Sequence, residues 1–386
     1  MEDVELLREA PGQKLVFTDS PAGFFREKGR GRCALFTGNR GVEGNGALRD
    51  LLTALPRAIR FSGIEAEPST ATVERMARFL AEKGPFDTVF AAGGGSVLDA
   101  AKAALLMHAT ELPLRELFGV NKVSQRFPGR EFPRIIAVPT TSGTGSEATQ
   151  YSNIVDREAG VKKLIAESCC VPESGCIVPR YCATMPDSVT LATGCDALAH
   201  LLEGFLNTRA DANHTRANSW ALRGAELVRN NLARALRNDP VARKNMAIAA
   251  ALGGMTIRFK STGLPHLCSF SWFGRIPHGI AAIMLLPESW RYYLGNPDVA
   301  ARTMELAPLF PGETPEEVIL SFRKFLTGLG VPEKLNAFPG LSAELMERTA
   351  GAAGENKMKL ELAPRPVPVE QSKPILQEIL LKSYGG

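Results

Sequence analysis

The sequence predicts an α/β domain with a parallel sheet, residues 1–185, followed by an all-helical domain, residues 186–386. In the first half, short β-type runs alternate with helix-type spacing, which is typical of βαβ units and parallel strands. From about Asp187 onward, the apolar spacing is helical and no strand signal is convincing. A chain of 386 residues is long enough for two domains, each with its own core.

Three strands of the first half are predicted from short apolar runs. Residues 32–37 form one run, which ends in a Gly-Asn-Arg-Gly turn. Residues 88–92 and 134–138 form the other two, and each leads directly into a glycine-rich turn. Between the first two strands, a helix is predicted after Ser69 by the i, i+3, i+4, i+7 spacing of Val73, Met76, Ala77 and Leu80.

The second half has the periodicity of packed helices. Apolar and small residues keep helical spacing from Trp220 to Ala235, and Asn238-Asp239-Pro240 predicts a helix stop. The apolar run that follows, residues 244–257, predicts a buried helix.

The composition is that of a water-soluble globular protein. Hydrophobic residues make up 45% of the chain, charged residues 22%, and the net charge of +4 is spread along it. The basic cluster at residues 26–32 is predicted to be a solvated loop, so no nucleic-acid partner is expected. The acidic start and the glycine-broken apolar run at 247–257 predict neither a signal peptide nor a membrane span, which needs about 20 apolar residues.

The seven cysteines form no CxxC pair and are expected to be reduced, mostly buried thiols. This use of cysteine predicts a cytoplasmic protein. Cys195 is not expected to act as a nucleophile, because it has no obvious base partner.

The first glycine-rich turn, GGGSVLDAAKA, occupies residues 93–103 at a predicted strand-to-helix junction. Gly93, Gly94, Gly95 and Ser96 would allow backbone N–H groups to approach a phosphate at the helix N-terminus. The order differs from GxGxxG, and a tight turn without a ligand is the alternative. On the helix that follows, Asp99 and Lys102 would either support this loop or face solvent.

The second turn, VPTTSGTGSE, occupies residues 138–147 and is rich in small hydroxyl side chains. Two such turns at the carboxyl edge of one sheet fit a dinucleotide, with pyrophosphate on one loop and ribose hydroxyls on the other. An unliganded hydroxyl-rich loop is the alternative.

A metal site is predicted from a carboxylate and three imidazoles. Asp196 and His200 are four residues apart on a predicted helix, so they share a face, although such a pair can also be a surface hydrogen bond. His266 and His278, only twelve positions apart, would complete a set of four ligands suited to Fe²⁺ or Zn²⁺. The remaining histidines, His108 and His214, are expected to be ordinary surface or capping residues.

Four segments in this order, GGGSVLDAAKA, VPTTSGTGSEAT, GCDALAHLLEG and GLPH…IPHGIA, resemble the iron-dependent (group III) alcohol dehydrogenase family over nearly the whole chain. The resemblance implies the dehydroquinate synthase-like fold, in which a Rossmann-like dinucleotide-binding domain precedes an all-helical metal-binding domain. It implies a metal-dependent, NAD(P)-linked alcohol dehydrogenase or aldehyde reductase. Hydride would pass between nicotinamide C4 and a small alcohol or aldehyde held at the metal, Fe²⁺ or alternatively Zn²⁺ or Mn²⁺. A homodimer or higher homo-oligomer is also implied.

The resemblance also assigns residues to the cofactor and the substrate. The metal ligands are Asp196, His200, His266 and His278, which act in catalysis through the metal. The cofactor residues are Gly93, Gly94, Gly95, Ser96, Asp99, Thr140, Thr141, Ser142, Thr144, Thr149 and Lys162, although the adjacent Lys163 leaves the register of Lys162 open. The substrate pocket is assigned to Tyr151, Phe270 and Arg275.

Two departures from the family pattern affect these expectations. Many members have an aspartate at the end of the first strand that holds the ribose 2′-OH of NAD. This chain has Gly38, Asn39 and Arg40 there, which predicts a preference for NADP. Phe270 stands where many members have a second histidine, so proton transfer would use water, a ribose hydroxyl or Ser269.

A third departure is the spacing between His266 and His278, which is about two residues shorter than in most members. The stretch PHLCSF, residues 265–270, resembles a PHxxSY/F variant of small-aldehyde reductases, some of which act on phosphonate-bearing aldehydes. The nearest alternative function is therefore a reductase for an anionic carbonyl compound of the maleylacetate or phosphonoacetaldehyde type. Arg275 is the candidate for binding the anion, and an exposed loop arginine without this role is the alternative. A non-catalytic nucleotide-binding relative is the alternative from another class.

Overall fold

A computed structural model describes residues 2–39, 41–208 and 214–385. A six-stranded sheet has the order β1-β9-β6-β4-β2-β3, and every pairing in it is parallel. A smaller sheet has the order β5-β8-β7. The strands are β1 Lys14–Phe17, β2 Cys33–Gly38, β3 Ile59–Ile64, β4 Thr88–Gly93, β5 Gly119–Val120, β6 Arg134–Pro139, β7 Tyr151–Asp156, β8 Val161–Ala166 and β9 Ser174–Ile177.

The first half also contains eight helices in its described residues. They are α1 Glu2–Leu7, α2 Ala22–Lys28, α3 Gly41–Gly44, α4 Ala47–Ala54, α5 Thr70–Lys83, α6 Gly95–Thr110, α7 Leu114–Leu117 and α8 Lys122–Arg126. The three strands predicted from sequence, β2, β4 and β6, are adjacent to one another in the interior of the sheet. Their central residues are buried on both faces, which explains their near-continuous apolar runs.

The second half is helical throughout its described residues. Its helices are α9 Asp187–Leu206, α10 His214–Ala235, α11 Pro240–Phe259, α12 Leu264–Ser269, α13 His278–Tyr293, α14 Pro297–Glu305, α15 Pro315–Gly328, α16 Ala343–Gly354, α17 Lys357–Leu362 and α18 Ser372–Tyr384. At the predicted stop, the Asp239 side chain accepts hydrogen bonds from the backbone N–H groups of Val241 and Ala242 and so caps α11. The predicted fold class, a parallel α/β sheet followed by helices, is confirmed.

The two halves meet without intervening side chains at one point. Gly145, in the loop after β6, has a positive φ of 61°. A Cβ atom at Gly254 of α11 would lie 2.2 Å from the Gly145 carbonyl oxygen, too close for any side chain. The second glycine-rich turn is therefore held directly against α11.

In the described ranges 2–39, 41–208 and 214–385, no helix is long and apolar enough to cross a membrane. All seven cysteines are free thiols. Burial raises the pKa of Cys195 above its ordinary value, which agrees with the expectation that it is not a nucleophile.

Candidate functional site

The four predicted metal ligands come together at one point between three helices. Asp196 and His200 lie one turn apart on α9, and the His200 Nε2 atom is 3.9 Å from Asp196 Oδ1. His266 belongs to the short helix α12, and its Nε2 atom is 3.6 Å from the same oxygen. His278 is the first residue of α13, and its Nε2 atom is also 3.9 Å from it. Three imidazole nitrogens therefore converge on a single carboxylate oxygen.

This convergence depends on a close approach of α9 and α13. Gly279 follows His278, and a Cβ atom there would lie 2.1 Å from the Ala192 carbonyl oxygen and 2.6 Å from Asp196 Cβ. Glycine lets the two helices pack with their backbones in contact, which brings His278 to Asp196.

The residues of this cluster fit a divalent metal ion. Asp196, His200 and His266 are buried, and one ligand atom from each lies within 4.8 Å of the others. Asp196 Oδ1 and His266 Nε2 are buried without a hydrogen-bond partner in the described structure. Buried polar atoms are rarely left unpaired, and nitrogen and oxygen donors of this kind suit Fe²⁺ and Zn²⁺.

Two polar side chains outside the predicted set orient the histidines. Glu203 accepts a hydrogen bond from His266 Nδ1 at 2.5 Å. Ser269 Oγ lies 3.2 Å from His278 Nδ1 and donates to the His266 carbonyl oxygen. These contacts turn the Nε2 atoms of both rings toward Asp196. Glu203 could have been found from the sequence, because it is three residues after His200 and seven after Asp196 on the same helix face.

The pKa values of the cluster reflect its burial and its charges. Burial works to raise the pKa of Asp196, but the three histidines lower it below its ordinary value. Burial lowers the pKa of His200 to about 4. For His266, burial is opposed by Glu203 and Asp196, which raise its pKa to about 9. The two carboxylates thus favour the charged form of His266, whereas a metal ion binds the neutral ring, so metal binding and protonation compete at this residue.

The two glycine-rich turns pack against each other at the carboxyl ends of β4 and β6. Thr140 N–H donates to the Gly93 carbonyl oxygen at 2.9 Å. A Cβ atom at Gly94 would lie 3.2 Å from the Thr141 side chain, and one at Gly95 would lie 2.6 Å from that of Thr144. The glycines at the start of α6 thus leave room for the side chains of the hydroxyl-rich second turn.

Asp99 and Lys102 both support the second turn, and Lys102 is buried. Lys102 Nζ donates to the carbonyl oxygens of Ser146, Thr149 and Tyr151 at 2.7–3.0 Å. Asp99 accepts from Ser146 Oγ at 2.6 Å. The helix after the first turn therefore fixes the backbone of the second.

Glu147, at the end of the second turn, is 3% exposed. Burial raises the pKa of its carboxyl to about 7, and the charge of Lys102 only partly opposes this shift.

A cavity of about 510 Å³ connects the turns with the histidine cluster. The sequence-predicted residues that line it are Gly95, Ser96, Asp99, Thr144, Thr149, Tyr151, Lys162, Asp196, His200, His266, Phe270, Arg275 and His278. Gly38, Asn39, Gly93, Gly94, Thr140, Thr141 and Ser142 belong to the turns and strand ends but do not line it. Arg40 and residues 209–213 lie outside the described residues.

The two adjacent lysines of β8 point to different places. Lys162 lines the cavity and forms an ion pair with Glu67 at 2.8 Å. Lys163 pairs with Asp156 at 2.7 Å and does not line the cavity.

Glu67, which sequence reasoning missed, connects both sides of the cavity. Its second oxygen accepts from Gly274 N–H at 2.8 Å, in the loop between α12 and α13. Its own N–H donates to Ser96 Oγ at 3.1 Å.

The three predicted substrate-pocket residues differ in what they offer. The Phe270 ring lies nearly parallel to the His278 ring, with centroids 5.9 Å apart. The Tyr151 hydroxyl donates to the Ile257 carbonyl oxygen at 3.1 Å, and burial raises its pKa to about 12. Arg275 is exposed and donates to the Gly340 carbonyl oxygen. Arg275 is therefore an exposed residue at the edge of the cavity, and its guanidinium is hydrogen-bonded to Gly340.

Comparison with known proteins gives the family. The family model described as "Iron-containing alcohol dehydrogenase" matches residues 20–177, and "Fe-containing alcohol dehydrogenase family, C-terminal" matches residues 190–380. An alcohol dehydrogenase of Thermococcus barophilus is 31% identical over 274 residues, which cover 70% of this chain and 71% of that protein. A crystal structure of an iron-containing alcohol dehydrogenase from Thermotoga maritima has a TM-score of 0.80 at 28% identity and covers 96% of this chain and 98% of that one.

One relative is much longer than this chain, and the match covers about a third of it. Aldehyde-alcohol dehydrogenase 2 of Entamoeba histolytica is 31% identical over 288 residues, which cover 68% of this chain and 32% of that protein. The fold, the cluster and these relatives agree on one class, the oxidoreductases that act on CH–OH groups. Within that class, the chain belongs to the iron-containing alcohol dehydrogenase family.

Proposed function

We propose that this chain is an iron-dependent, NADP-preferring alcohol dehydrogenase or aldehyde reductase for a small substrate. The observation that carries the proposal is the convergence of three imidazole Nε2 atoms, at 3.6–3.9 Å, on one oxygen of Asp196. This cluster shares a cavity with the serine and lysine expected to hold the cofactor, Ser96 and Lys162.

Asp196, His200, His266 and His278 would hold Fe²⁺, with Zn²⁺ or Mn²⁺ as alternatives. When bound, the ion supplies Lewis acidity toward the oxygen of an alcohol or aldehyde, and the nicotinamide supplies or accepts hydride. The chain itself contributes orientation, because Glu203 and Ser269 fix the imidazole rings before any ligand arrives.

The walls of the cavity position the reactants and limit the access of water. Lys162 pairs with Glu67, whose N–H donates to Ser96 Oγ, and we expect its ammonium group to donate to a ribose hydroxyl. Tyr151 and Phe270 line the same cavity. A dry, ordered cleft favours hydride transfer, which needs the two carbons in near-attack geometry.

The proton donor cannot be residue 270, where many family members have a histidine. Phe270 has no exchangeable proton. Ser269 donates to the His266 carbonyl oxygen and faces His278 Nδ1, and it does not line the cavity. Tyr151 keeps its proton near neutral pH, because burial raises its pKa to about 12. We therefore assign the proton to water or a ribose hydroxyl.

The preference for NADP is inferred from the end of β2. Gly38 has no carboxylate to hold a ribose 2′-OH or repel a 2′-phosphate. On the neighbouring strand β3, Arg60 Nε donates to Thr37 Oγ1 at 2.9 Å, so a guanidinium lies close to this strand end. Its other contact is Glu43, which is largely exposed. Either Arg60 or Arg40 could pair with a phosphate.

The test is NADPH oxidation by iron-reconstituted protein across a panel of small aldehydes, with His266→Ala as the control. We expect turnover with NADPH to exceed that with NADH, and to be lost in the variant together with bound iron. Protein that binds no Fe, Zn or Mn and turns over neither cofactor would support the non-catalytic alternative instead. A homodimer or higher homo-oligomer stays a prediction, which light scattering would check.

A further inference from the structure

A buried lysine that sequence reasoning did not single out lines the cavity. Lys359, on the short helix α17, is 4% exposed. Its Nζ atom donates to Ser261 Oγ and Thr262 Oγ1 at 2.9 Å and to the Thr262 carbonyl oxygen at 3.0 Å. Thr262 lines the same cavity, four residues before the metal-ligand candidate His266. The ammonium group is therefore fixed in the wall of the cavity that also contains the histidine cluster.

Lys359 differs from the other cations around the cavity because its partners are all uncharged. Lys162 is paired with Glu67. Arg275 is exposed at the rim. Within the described ranges, no carboxylate lies within ion-pair distance of Lys359, and its bonds end on two hydroxyls and a carbonyl.

The carboxylate whose charge acts on Lys359, that of Glu203, is already bonded to His266 and to the Gly263 N–H. The carboxylates of Asp196 and Glu203 are the buried acids beside the histidines. A divalent ion would cancel these two negative charges and leave the charge of Lys359 in excess. Burial lowers the pKa of Lys359 to about 8, so the ammonium form still dominates at pH 7. A buried cation whose hydrogen-bond partners are all uncharged gains from an anionic partner, so the entry of an anion into the cavity would be favourable.

Thr262 can link the ammonium group of Lys359 to a ligand through hydrogen bonds. Its hydroxyl oxygen accepts from Lys359, so its own proton is free to be donated. Because Thr262 lines the cavity, a chain from ammonium through hydroxyl to a ligand anion is available.

We propose that Lys359 and Thr262 form an anion-binding subsite and that the substrate is a small aldehyde or alcohol with an anionic headgroup, such as a carboxylate or phosphonate. This inference rests on the proposed function. It assigns the headgroup to Lys359 and not to Arg275, whose guanidinium is engaged with Gly340.

The test compares two aldehydes of equal chain length, 4-oxobutanoate and butanal, with the iron-loaded protein and NADPH. We expect Lys359→Met to lower kcat/KM for 4-oxobutanoate roughly tenfold or more relative to butanal, the effect of losing one hydrogen bond to a charged group. Thr262→Val should move the ratio in the same direction. Lys359→Arg should keep most of the preference. Phosphonoacetaldehyde, measured alongside, shows which headgroup is preferred.

Lys163→Met is the matched control, because it removes one lysine charge outside the cavity, and its ratio should equal that of the wild type. Equal losses for both aldehydes in Lys359→Met would mean a purely structural role and would overturn the proposal. A larger change in Arg275→Met would also overturn it. If Lys359→Met does not fold, as judged by circular dichroism, Thr262→Val and Lys359→Arg decide.

A binding measurement separates this inference from the proposed function. Calorimetry with 4-hydroxybutyrate and 1-butanol on iron- and NADP-loaded protein should show tighter binding of the anion, and this difference should vanish in Lys359→Met. If no aldehyde is reduced but this difference is found, the proposed function fails and the subsite stands. If 4-hydroxybutyrate binds the wild type and Lys359→Met equally, the subsite fails whatever the turnover.

Discussion

Replacing Gly279 by alanine tests how closely α9 and α13 must pack to assemble the metal site. The added Cβ would lie 2.1 Å from the Ala192 carbonyl oxygen, whereas non-bonded atoms prefer separations of roughly 3.5 Å. The helices must therefore separate by more than about 1 Å, and overpacking of this kind costs about 1–3 kcal/mol of unfolding free energy.

Metal binding should suffer more than stability. Metal–ligand distances tolerate changes of only about 0.2 Å, so a shift of about 1 Å between His278 and Asp196 is several times the tolerance. We expect Gly279→Ala to remain folded but to retain little iron after dialysis. Urea unfolding followed by tryptophan fluorescence gives the stability, and elemental analysis gives the iron content.

Gly351→Ala is the matched control. Gly351 lies inside α16, and a Cβ atom there would meet nothing within 4 Å. Alanine should stabilise that helix by about 0.5–1 kcal/mol and leave the iron content unchanged. If Gly279→Ala bound a full equivalent of iron with an unchanged urea midpoint, the close contact would not be what assembles the site.

Three further changes test other parts of the molecule. Glu203→Gln should weaken iron affinity about 10- to 100-fold, because His266 loses a charged hydrogen-bond acceptor; chelator competition measures this, and an unchanged affinity contradicts it. Burial raises the pKa of Glu147 from 4.5 to about 7, so its contribution to stability is fully present below pH 4.5 and declines as the pH rises through 7, by up to about 3 kcal/mol. Urea unfolding at pH 5 and pH 8 should show a smaller decline in Glu147→Gln, and an equal decline would refute the assignment. Gly38→Asp should shift the ratio of kcat/KM for NADPH and NADH at least about tenfold toward NADH, and a constant ratio would argue against the role of this position.

The large sheet could be predicted only where its strands are buried. The apolar runs that formed β2, β4 and β6 could be read directly. The edge strand β3 could not, because Arg60, Ser62 and Gly63 interrupt its apolar pattern. The other edge strand, β1, has only four residues and depends on its pairing with β9. Strands that are stabilised by their partners leave little local signal in the sequence.

The metal site was more predictable than the residues that support it. Asp196 and His200 share a helix face. Because the chain has only five histidines, the close pair His266 and His278 could be assigned to the same site. Glu67 could not be found in this way, because its partners Lys162 and Gly274 are far away in sequence. Lys359 was missed for the same reason, since an isolated lysine in a helix usually faces solvent.

The contact between Gly145 and Gly254 has a consequence for exchanging parts between related proteins. A Cβ atom at Gly254 would lie 2.2 Å from the Gly145 carbonyl oxygen, and one at Gly145 would lie 2.5 Å from Gly254 Cα. A side chain can change rotamer to accept a new neighbour, but two facing backbones cannot. A chimera that joins the first half of this chain to the second half of a relative therefore requires glycine on both sides of the junction, however similar the remaining surfaces are.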